Sequence, residues 1–289
     1  MIELISEMFS YTFMTRAFVS GLLLSLCASL LGTPLVLKRY SMIGDGLSHI
    51  GFGALAVAAV MNLTPLYVAI PVVSVAAVLL LRLSENSSLK GDSAVALIST
   101  ASLAIGVIAV SVGSGINIDL NSYLFGSILS MSQTDLYASI AISAVVLLLF
   151  TVFYNRIFCV TFDESFARAS GVRAGAYNVL VALLAALTIV VGMKLMGAML
   201  ISALIIFPSV TSMRLFRSFR GVVISSVAVS AVCFTAGIFA SYVWDIPPGA
   251  SIVVTNLAAL LIFSVVSFFK SGFFSKLFGK LRGIGGGHS

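Results

Sequence analysis

Long apolar runs and short polar connections alternate along almost the whole chain. Nine runs reach or approach the length at which a helix crosses a hydrocarbon core of about 30 Å. The predicted spans cover residues 13–37, 43–62, 66–82, 93–113, 136–154, 178–193, 196–213, 221–243 and 250–269. Because the sixth and seventh runs are separated by little more than Lys194, they would form a tight and shallow hairpin. The pattern therefore predicts an all-α bundle of eight to nine transmembrane helices.

The seventh run contains Pro208. Proline removes a backbone N–H donor and clashes with the preceding turn of a helix. We therefore expect a kink in the seventh helix at this residue.

The longest polar connection covers residues 155–178 and follows the fifth run. Its centre, 162–171, has the pattern of a short amphipathic helix with Gly171 as its stop. Two interpretations stay open on the residues alone. The segment is either an ordinary solvated connection or a docking surface for a soluble partner protein, and its length is the argument for the docking surface.

Apolar residues make up 60% of the 289 residues and charged residues only 9%, whereas about 25% of an ordinary soluble protein is charged. This composition is typical of a polytopic membrane protein. The runs follow one another too closely to leave room for a separate soluble domain. We therefore predict a single membrane domain over 1–289, with the helical bundle at 10–268 and a flexible basic tail at 270–289.

The net charge of +6 is spread over short basic clusters between the apolar runs. Such clusters are typical of membrane topology, so we exclude a nucleic-acid-binding role. If the N-terminus lies outside, fourteen of the sixteen basic residues are cytoplasmic and only Arg16 and Lys194 are not. Because cytoplasmic loops are enriched in lysine and arginine, the charges predict an N-terminus outside and a C-terminus in the cytoplasm.

Three carboxylates in the connections after the first span would lie outside on this topology, namely Asp119, Asp135 and Asp245. Surface acids are common in proteins. We therefore interpret all three as solvated loop residues, with attraction of incoming cations or contact with a delivery protein as the alternative.

The sequence lacks the motifs that would mark several classes of enzyme. It has no Gly-x-x-x-x-Gly-Lys-Ser/Thr loop to cradle nucleotide phosphates, no His-Glu-x-x-His metalloprotease motif and no Gly-x-Ser-x-Gly hydrolase motif. Cys27, Cys159 and Cys233 are too far apart for a zinc or redox motif. We therefore predict that the chain is not itself an enzyme and that any ATP hydrolysis is supplied by another subunit.

The main candidate site is the pair Asp45 and His49, which lies in otherwise apolar sequence of the second run. A spacing of four residues places both side chains on one face of a helix, one turn apart. An ionised carboxylate at membrane depth costs about 2.5–3.5 kcal/mol on insertion scales, so it calls for a partner or a function. Two alternatives stay open. Either Asp45 caps the second helix and His49 is hydrogen-bonded within the bundle, or the pair binds a divalent cation.

A cation site formed by this pair would be incomplete. A closed structural zinc site has four ligands and the pair supplies two, which suits a transporter because it must release its ion. Asp45 lies six residues after Arg39, about 9 Å of helix rise, so we expect the pair nearer the cytoplasmic side than the midplane.

Two rival functions follow from the same residues. In a proton-coupled secondary transporter, Asp45 and His49 would relay protons instead of binding a metal ion. In a non-transporting membrane scaffold, Asp45 would only cap a helix. The secondary transporter leaves the long 155–178 connection unexplained.

Five motifs occur together along the chain: 44–49 (GDGLSH), 119–126 (DLNSYLFG), 163–172 (DESFARASGV), 194–208 (KLMGAMLISALIIFP) and 247–249 (PPG). In combination they resemble the permease subunit of bacterial metal-ion ABC transporters, the family that imports zinc, manganese and iron. The resemblance covers about residues 10–268. It implies the permease fold of vitamin B12 and metal-chelate importers and a multi-pass position in the bacterial cytoplasmic (inner) membrane, in contact with lipid.

The resemblance also implies partners and roles. It implies a homodimer of permeases with the pathway at their interface, two cytoplasmic ATP-binding subunits, an extracellular metal-binding delivery protein, and alternating access driven by ATP. No cofactor would be bound permanently. Asp45 and His49 match the family's metal site in the pathway. The family's coupling helix, which fits a groove on the ATPase, matches Asp163, Glu164, Ala167, Gly171 and Val172.

The sequence indicates the family more clearly than it indicates the transported metal. A carboxylate and an imidazole bind zinc, manganese and iron alike. The stretch 192–198 (GMKLMGA) is more similar to zinc-type members, so we predict zinc, with manganese or iron as the alternative. Gly46 stands where many relatives have a bulkier residue, and we expect it to loosen the helix between Asp45 and His49.

Overall fold

The structure, a computed structural model, describes residues 8–86, 91–112 and 132–270. These residues form helices joined by short connections, and no strand occurs among them. The helices are α1 Thr12–Leu37, α2 Ser41–Val60, α3 Pro65–Asn86, α4 Gly91–Val112, α5 Gln133–Val152, α6 Tyr154–Phe162, α7 Glu164–Ala169, α8 Ala174–Met196, α9 Ala198–Met213, α10 Phe219–Trp244 and α11 Pro248–Lys270. The predicted all-α class is confirmed.

Eight of the described helices are long and apolar enough to cross a membrane, and α9 is a shorter apolar helix. The 16 residues of α9 span only about 24 Å. The chain passes from α8 to α9 through Gly197 alone, which has a φ of 89°, a value that glycine adopts without a Cβ clash. Over the residues that the structure describes, the eight long helices and the shorter α9 agree with the predicted eight to nine spans. Pro208 lies inside α9, and the kink there stays a prediction.

The central helices of the bundle are α1, α2 and α8. Their apolar windows are 67%, 67% and 72% buried, against 17% for α4 and 11% for α11. Helices α4 and α11 therefore lie at the periphery, where their apolar side chains suit lipid or another protein surface. Asp45 and His49 therefore lie on a central helix, although their own side chains are partly exposed.

Buried hydroxyls join α1 to α9 and α10. Thr33 Oγ1 lies 3.3 Å from both Ser209 Oγ and Ser226 Oγ. Next to it, a Cβ added at Gly32 would lie 1.9 Å from the carbonyl oxygen of Ile205. Small and hydroxyl-bearing residues pack membrane helices closely, because lipid provides no hydrophobic force between them. Helices α1, α9 and α10 therefore form one tightly packed unit.

The long polar connection is more helical than the sequence indicated. Helix α6 follows α5 after a break at Phe153, and α7 then replaces the single predicted helix at 162–171. The sequence analysis missed α6 because it assigned residues 155–162 to the polar connection, although most residues of α6 are apolar. The predicted short helix itself is confirmed with narrower bounds, Glu164–Ala169.

Two predicted features lie outside the described residues. They are the 119–126 motif and, apart from Lys270, the basic tail at 270–289. The membrane orientation inferred from charge stays a prediction. We use "basic end" below for the end of the bundle where α1 stops at Leu37 and α8 begins at Ala174, beside α7.

Candidate functional site

Asp45 and His49 are the fifth and ninth residues of α2. The rise from the start of the helix is about 6 Å to Asp45 and about 12 Å to His49. Both residues therefore lie in the half of α2 that begins near the basic end. The position of the pair relative to the membrane midplane stays a prediction.

The Asp45 and His49 side chains face each other across a short gap. His49 Nε2 lies 3.6 Å from Asp45 Oδ2, and the side chains are 30% and 44% exposed. A separation of 3.6 Å is too long for a hydrogen bond. The second ring nitrogen, His49 Nδ1, is buried and has no hydrogen-bond partner among the described residues. The pair is therefore open to an additional group.

The gap fits a divalent cation bound by both side chains. Zinc bonds to histidine nitrogen and carboxylate oxygen measure about 2.0–2.2 Å, which places two ligands of a tetrahedral ion about 3.4 Å apart. Two neighbouring ligands of an octahedral ion with similar bonds would be about 3.0 Å apart. The 3.6 Å separation between His49 Nε2 and Asp45 Oδ2 exceeds both values, so a small closure of the two side chains would accommodate either geometry.

The interpretation of Asp45 as a helix cap is wrong. Helix α2 begins at Ser41 with Tyr40 in the cap position, and no acidic residue lies in its first turn. Asp45 is therefore inside the helix, where its carboxylate cannot accept hydrogen bonds from the free N–H groups of the first turn.

Helix α9 contributes a hydroxyl beside the pair that the sequence analysis missed. Ser202 Oγ lies 2.8 Å from Ser48 Oγ, and Ser202 is also next to the Asp45 carboxylate. Ser48 and Ser202 are 154 positions apart, so no spacing rule could have joined them. The contact fixes α9 against the face of α2 that carries Asp45.

Gly46 has a packing role. A Cβ at this position would lie 2.6 Å from Val95 Cγ1, well inside van der Waals contact. The glycine therefore allows α4 to approach α2 closely between Asp45 and His49. The structure gives a reason for this glycine other than the loosening of the helix that the sequence suggested.

A third protein ligand is missing from this part of the chain. Within 8–86, 91–112 and 132–270, no group of three or more His, Cys, Asp or Glu side chains is arranged to hold a metal ion. A four-ligand site built on Asp45 and His49 therefore needs ligands from water, from another chain or from residues outside these ranges.

The residues that match the coupling helix form a compact unit at the basic end. Asp163 caps α7 and accepts a 2.8 Å hydrogen bond from the backbone N–H of Phe166. Ala167 is fully buried and packs with Val172 in a small apolar cluster. Gly171 has a φ of 80°, the left-handed conformation typical of a residue just after a helix. The structure brings these residues together, and their contact with an ATPase stays a prediction.

Glu164 faces the bundle rather than solvent alone. Its carboxylate accepts hydrogen bonds from Lys38 at 3.0 Å and from Arg168. Burial raises the pKa of Glu164, but the hydrogen bonds from Lys38 and Arg168 outweigh it and leave the pKa below its ordinary value. Glu164 is thus held as a carboxylate beside the end of α1.

The interpretation of Asp135 as a solvated loop residue is wrong. Asp135 lies in the first turn of α5 and forms a capping box with Ser132. Its side chain is 9% exposed and pairs with Lys194 near the end of α8. The pair joins α5 to the α8–α9 junction.

The whole fold and these motifs agree with comparisons to known proteins. The model of the ABC 3 transport family matches residues 10–268. The chain belongs to this ABC-3 transport family. The resemblance inferred from the five motifs is therefore confirmed, and with it a multi-pass position in the bacterial inner membrane.

Relatives of this ABC-3 chain are named for different metals. It is 29% identical over 267 residues to the manganese import system permease protein ScaB of Streptococcus gordonii, covering 92% of this chain and 94% of that protein. It is 31% identical over 253 residues to the high-affinity zinc uptake system membrane protein ZnuB of Buchnera aphidicola, covering 87% and 96%. The relatives therefore do not decide which metal this chain transports.

Solved structures share the fold. PsaBC from Streptococcus pneumoniae in complex with Fab superimposes with a TM-score of 0.81 at 29% identity, over 91% of this chain and 95% of that chain. An inward-facing putative metal-chelate type ABC transporter has a TM-score of 0.61 at 16% identity, over 93% and 85%, and supports the fold alone. The predicted metal-chelate importer-like permease fold is confirmed.

Proposed function

We propose that this chain is the membrane permease subunit of an ATP-driven importer of divalent metal ions, with zinc as the ion. The observation that carries the proposal is the Asp45–His49 pair, held 3.6 Å apart on the central helix α2 and open to a cation. Membership in the ABC-3 transport family supports the transport role.

Zinc is proposed because the 192–198 stretch resembles zinc-type members of the family. The relatives named for manganese make manganese the alternative, and iron remains a further candidate because the same donor types bind it.

The complete transporter would contain further chains. A second copy of this permease would bring its own Asp45 and His49, which raises the number of side-chain ligands from two to four. Two cytoplasmic ATP-binding subunits would dock on α7, and an extracellular metal-binding protein would deliver the ion. Closure of the ATPases would move the permeases between inward and outward access, with Asp45 and His49 as the transient site between them.

Reconstituted transport tests this proposal. Vesicles that contain the permease and its ATPase should accumulate zinc only when ATP is present. Zinc, manganese and iron in competition should rank the three ions. Asp45→Asn and His49→Ala should each abolish uptake while the complex still assembles, as judged by size-exclusion chromatography.

Two outcomes would contradict the proposal. Uptake driven by a proton gradient in vesicles that lack the ATPase would indicate a secondary transporter. Normal uptake by both variants would indicate that Asp45 and His49 are structural. Preference for manganese in the competition would replace zinc and leave the rest of the proposal intact.

A further inference from the structure

Four polar side chains from separate parts of the fold meet at the basic end. They are Lys38 just after α1, Glu85 on α3, Glu164 on α7 and Asn178 on α8. Lys38 Nζ lies 3.0 Å from Glu164 Oε2 and 2.6 Å from Asn178 Oδ1. Asn178 Nδ2 donates to Glu85 Oε1 at 2.9 Å and to Glu164 Oε2 at 3.4 Å. We call these four residues the basic-end cluster.

The basic-end cluster has a defined arrangement of charge. The amide oxygen of Asn178 faces the ammonium of Lys38, and its amide nitrogen faces the two carboxylates. If the Asn178 amide were flipped, its nitrogen would face the ammonium and its oxygen would face the carboxylates, so donors would meet donors and acceptors would meet acceptors. Lys38 is only 13% exposed and Asn178 is buried, so separating them would leave partly buried groups without partners. The cluster therefore favours a fixed position of α7 relative to α1, α3 and α8.

The cluster also reaches the start of α2. Only Arg39 and Tyr40 separate Lys38 from Ser41, the first residue of α2. The turn is closed by a 2.8 Å hydrogen bond from Tyr40 N to Leu35 O, and Arg39 has a left-handed φ of 61°. A turn this short cannot absorb a displacement of Lys38 without moving α2.

Tyr40 lies against the same charges. Its ring centroid is 6.0 Å from Lys38 Nζ. Burial raises the pKa of Tyr40, and the negative charges of Glu85 and Glu164 raise it further. The residue in the cap position of α2 is therefore in the field of the basic-end cluster.

We propose that the basic-end cluster is the joint that transmits movement of α7 to α2, with Lys38 and Glu164 as the positioning residues. This inference rests on the proposed function, because it assigns a path between the ATPase docking helix and the metal pair. The path runs from Glu164 to Lys38, through the turn at Arg39 and Tyr40, and along two turns of α2 to His49. Each step is a direct contact or a covalent connection.

A joint and a purely structural cluster predict different results. Loss of a structural contact would reduce assembly, ATP hydrolysis and metal uptake together. Loss of the joint would leave the ATPase docked and active, but α2 would follow the closure of the ATPase less well. The decisive quantity is therefore the number of metal ions imported per ATP hydrolysed.

The test uses the permease–ATPase complex in vesicles together with the metal-binding delivery protein, with zinc and manganese as the probe ions. Uptake and ATP hydrolysis are measured on the same vesicles for wild type, Lys38→Met, Glu164→Gln, the double variant and Lys38→Arg. Lys38→Met and Glu164→Gln should each lower the ions imported per ATP by about 2- to 30-fold, with ATPase activity close to wild type. The double variant should lose less than the sum of the two single losses, because both substitutions remove the same Lys38–Glu164 contact. Lys38→Arg should retain most of the coupling because it keeps the charge.

Arg82→Met is the matched control. Arg82 lies on α3 one turn before Glu85, is exposed, and makes no ion pair among the described residues. Its loss should leave the ions imported per ATP unchanged. If Lys38→Met fails to assemble, the more exposed Glu164→Gln decides the question.

Several results would overturn the joint. They are an unchanged ratio in Lys38→Met and Glu164→Gln, an equal loss in Arg82→Met, a proportional loss of uptake and ATP hydrolysis, and additive losses in the double variant. Failure of the wild-type complex to import either ion with ATP would contradict the proposed function instead. The two failures are therefore distinguishable.

Discussion

The contact between α1 and α9 at Gly32 makes a quantitative prediction about stability. Gly32 is buried on the central helix α1. In Gly32→Ala, the new Cβ would be placed 1.9 Å from the carbonyl oxygen of Ile205. This obstacle is helix backbone, so no side-chain rotation can relieve it. We expect the two helices to move apart.

The size of the effect follows from the distances. Restoring even a 3.0 Å contact requires a shift of about 1 Å, and overpacking of this kind costs about 1–3 kcal/mol. Thr33 Oγ1 and Ser209 Oγ are already 3.3 Å apart, and Ser209 Oγ donates to Ser29 O at 3.3 Å. The shift would break both hydrogen bonds, each worth about 0.6 kcal/mol between membrane helices. The free energy of unfolding should therefore fall by about 2–4 kcal/mol.

Denaturant titration of the purified protein in detergent measures this change, with Gly175→Ala as the matched control. A Cβ at Gly175 would meet nothing within 4 Å, and alanine is favoured over glycine in a helix by about 0.5–1 kcal/mol. Gly175→Ala should therefore be neutral or stabilising. A Gly32→Ala protein as stable as wild type, or equal losses in the two variants, would refute the close approach of α1 and α9.

Two further predictions concern ion pairs. Lys194→Met leaves the Asp135 carboxylate, which is 9% exposed, without its partner. The free energy of unfolding should therefore fall by up to about 3 kcal/mol, and the Lys194→Met/Asp135→Asn double variant should recover most of this loss. An unchanged free energy of unfolding in Lys194→Met would contradict the pairing. Glu164 has a pKa below its ordinary value, so its stabilisation is complete above about pH 4.3 and is lost as the pH falls through the lower folded-state pKa. The difference in melting temperature between wild type and Glu164→Gln should shrink below about pH 4, and a difference that does not vary with pH would contradict the ion pairs with Lys38 and Arg168.

The candidate site was predicted from sequence only in part. The spacing of Asp45 and His49 placed them on one helical face, and the structure agrees. The choice between a helix cap and a ligand pair depended on where α2 begins. That position is set by the turn at Arg39 and Tyr40, which hydrophobic pattern does not define.

Other parts of the site were outside the reach of sequence reasoning. Ser202 approaches Asp45 from α9, and Lys38 meets Glu164 across 126 positions of sequence. Asp135, interpreted as a solvated loop residue, is instead paired with Lys194. In each case two ordinary polar residues acquire a role only when packed helices bring them together.

The sequence by itself determined the helical spans, the membrane location and the transporter family. Lipid makes this possible because every backbone N–H and C=O must be bonded within its own helix, so each span is a local property of its apolar run. The tertiary structure alone decided how the helices pack and which polar groups meet: the gap between Asp45 and His49, the close approach at Gly32 and the four-residue basic-end cluster. These depend on helix positions and on side-chain directions at each contact, and such long-range geometry is not encoded in the period of the apolar pattern.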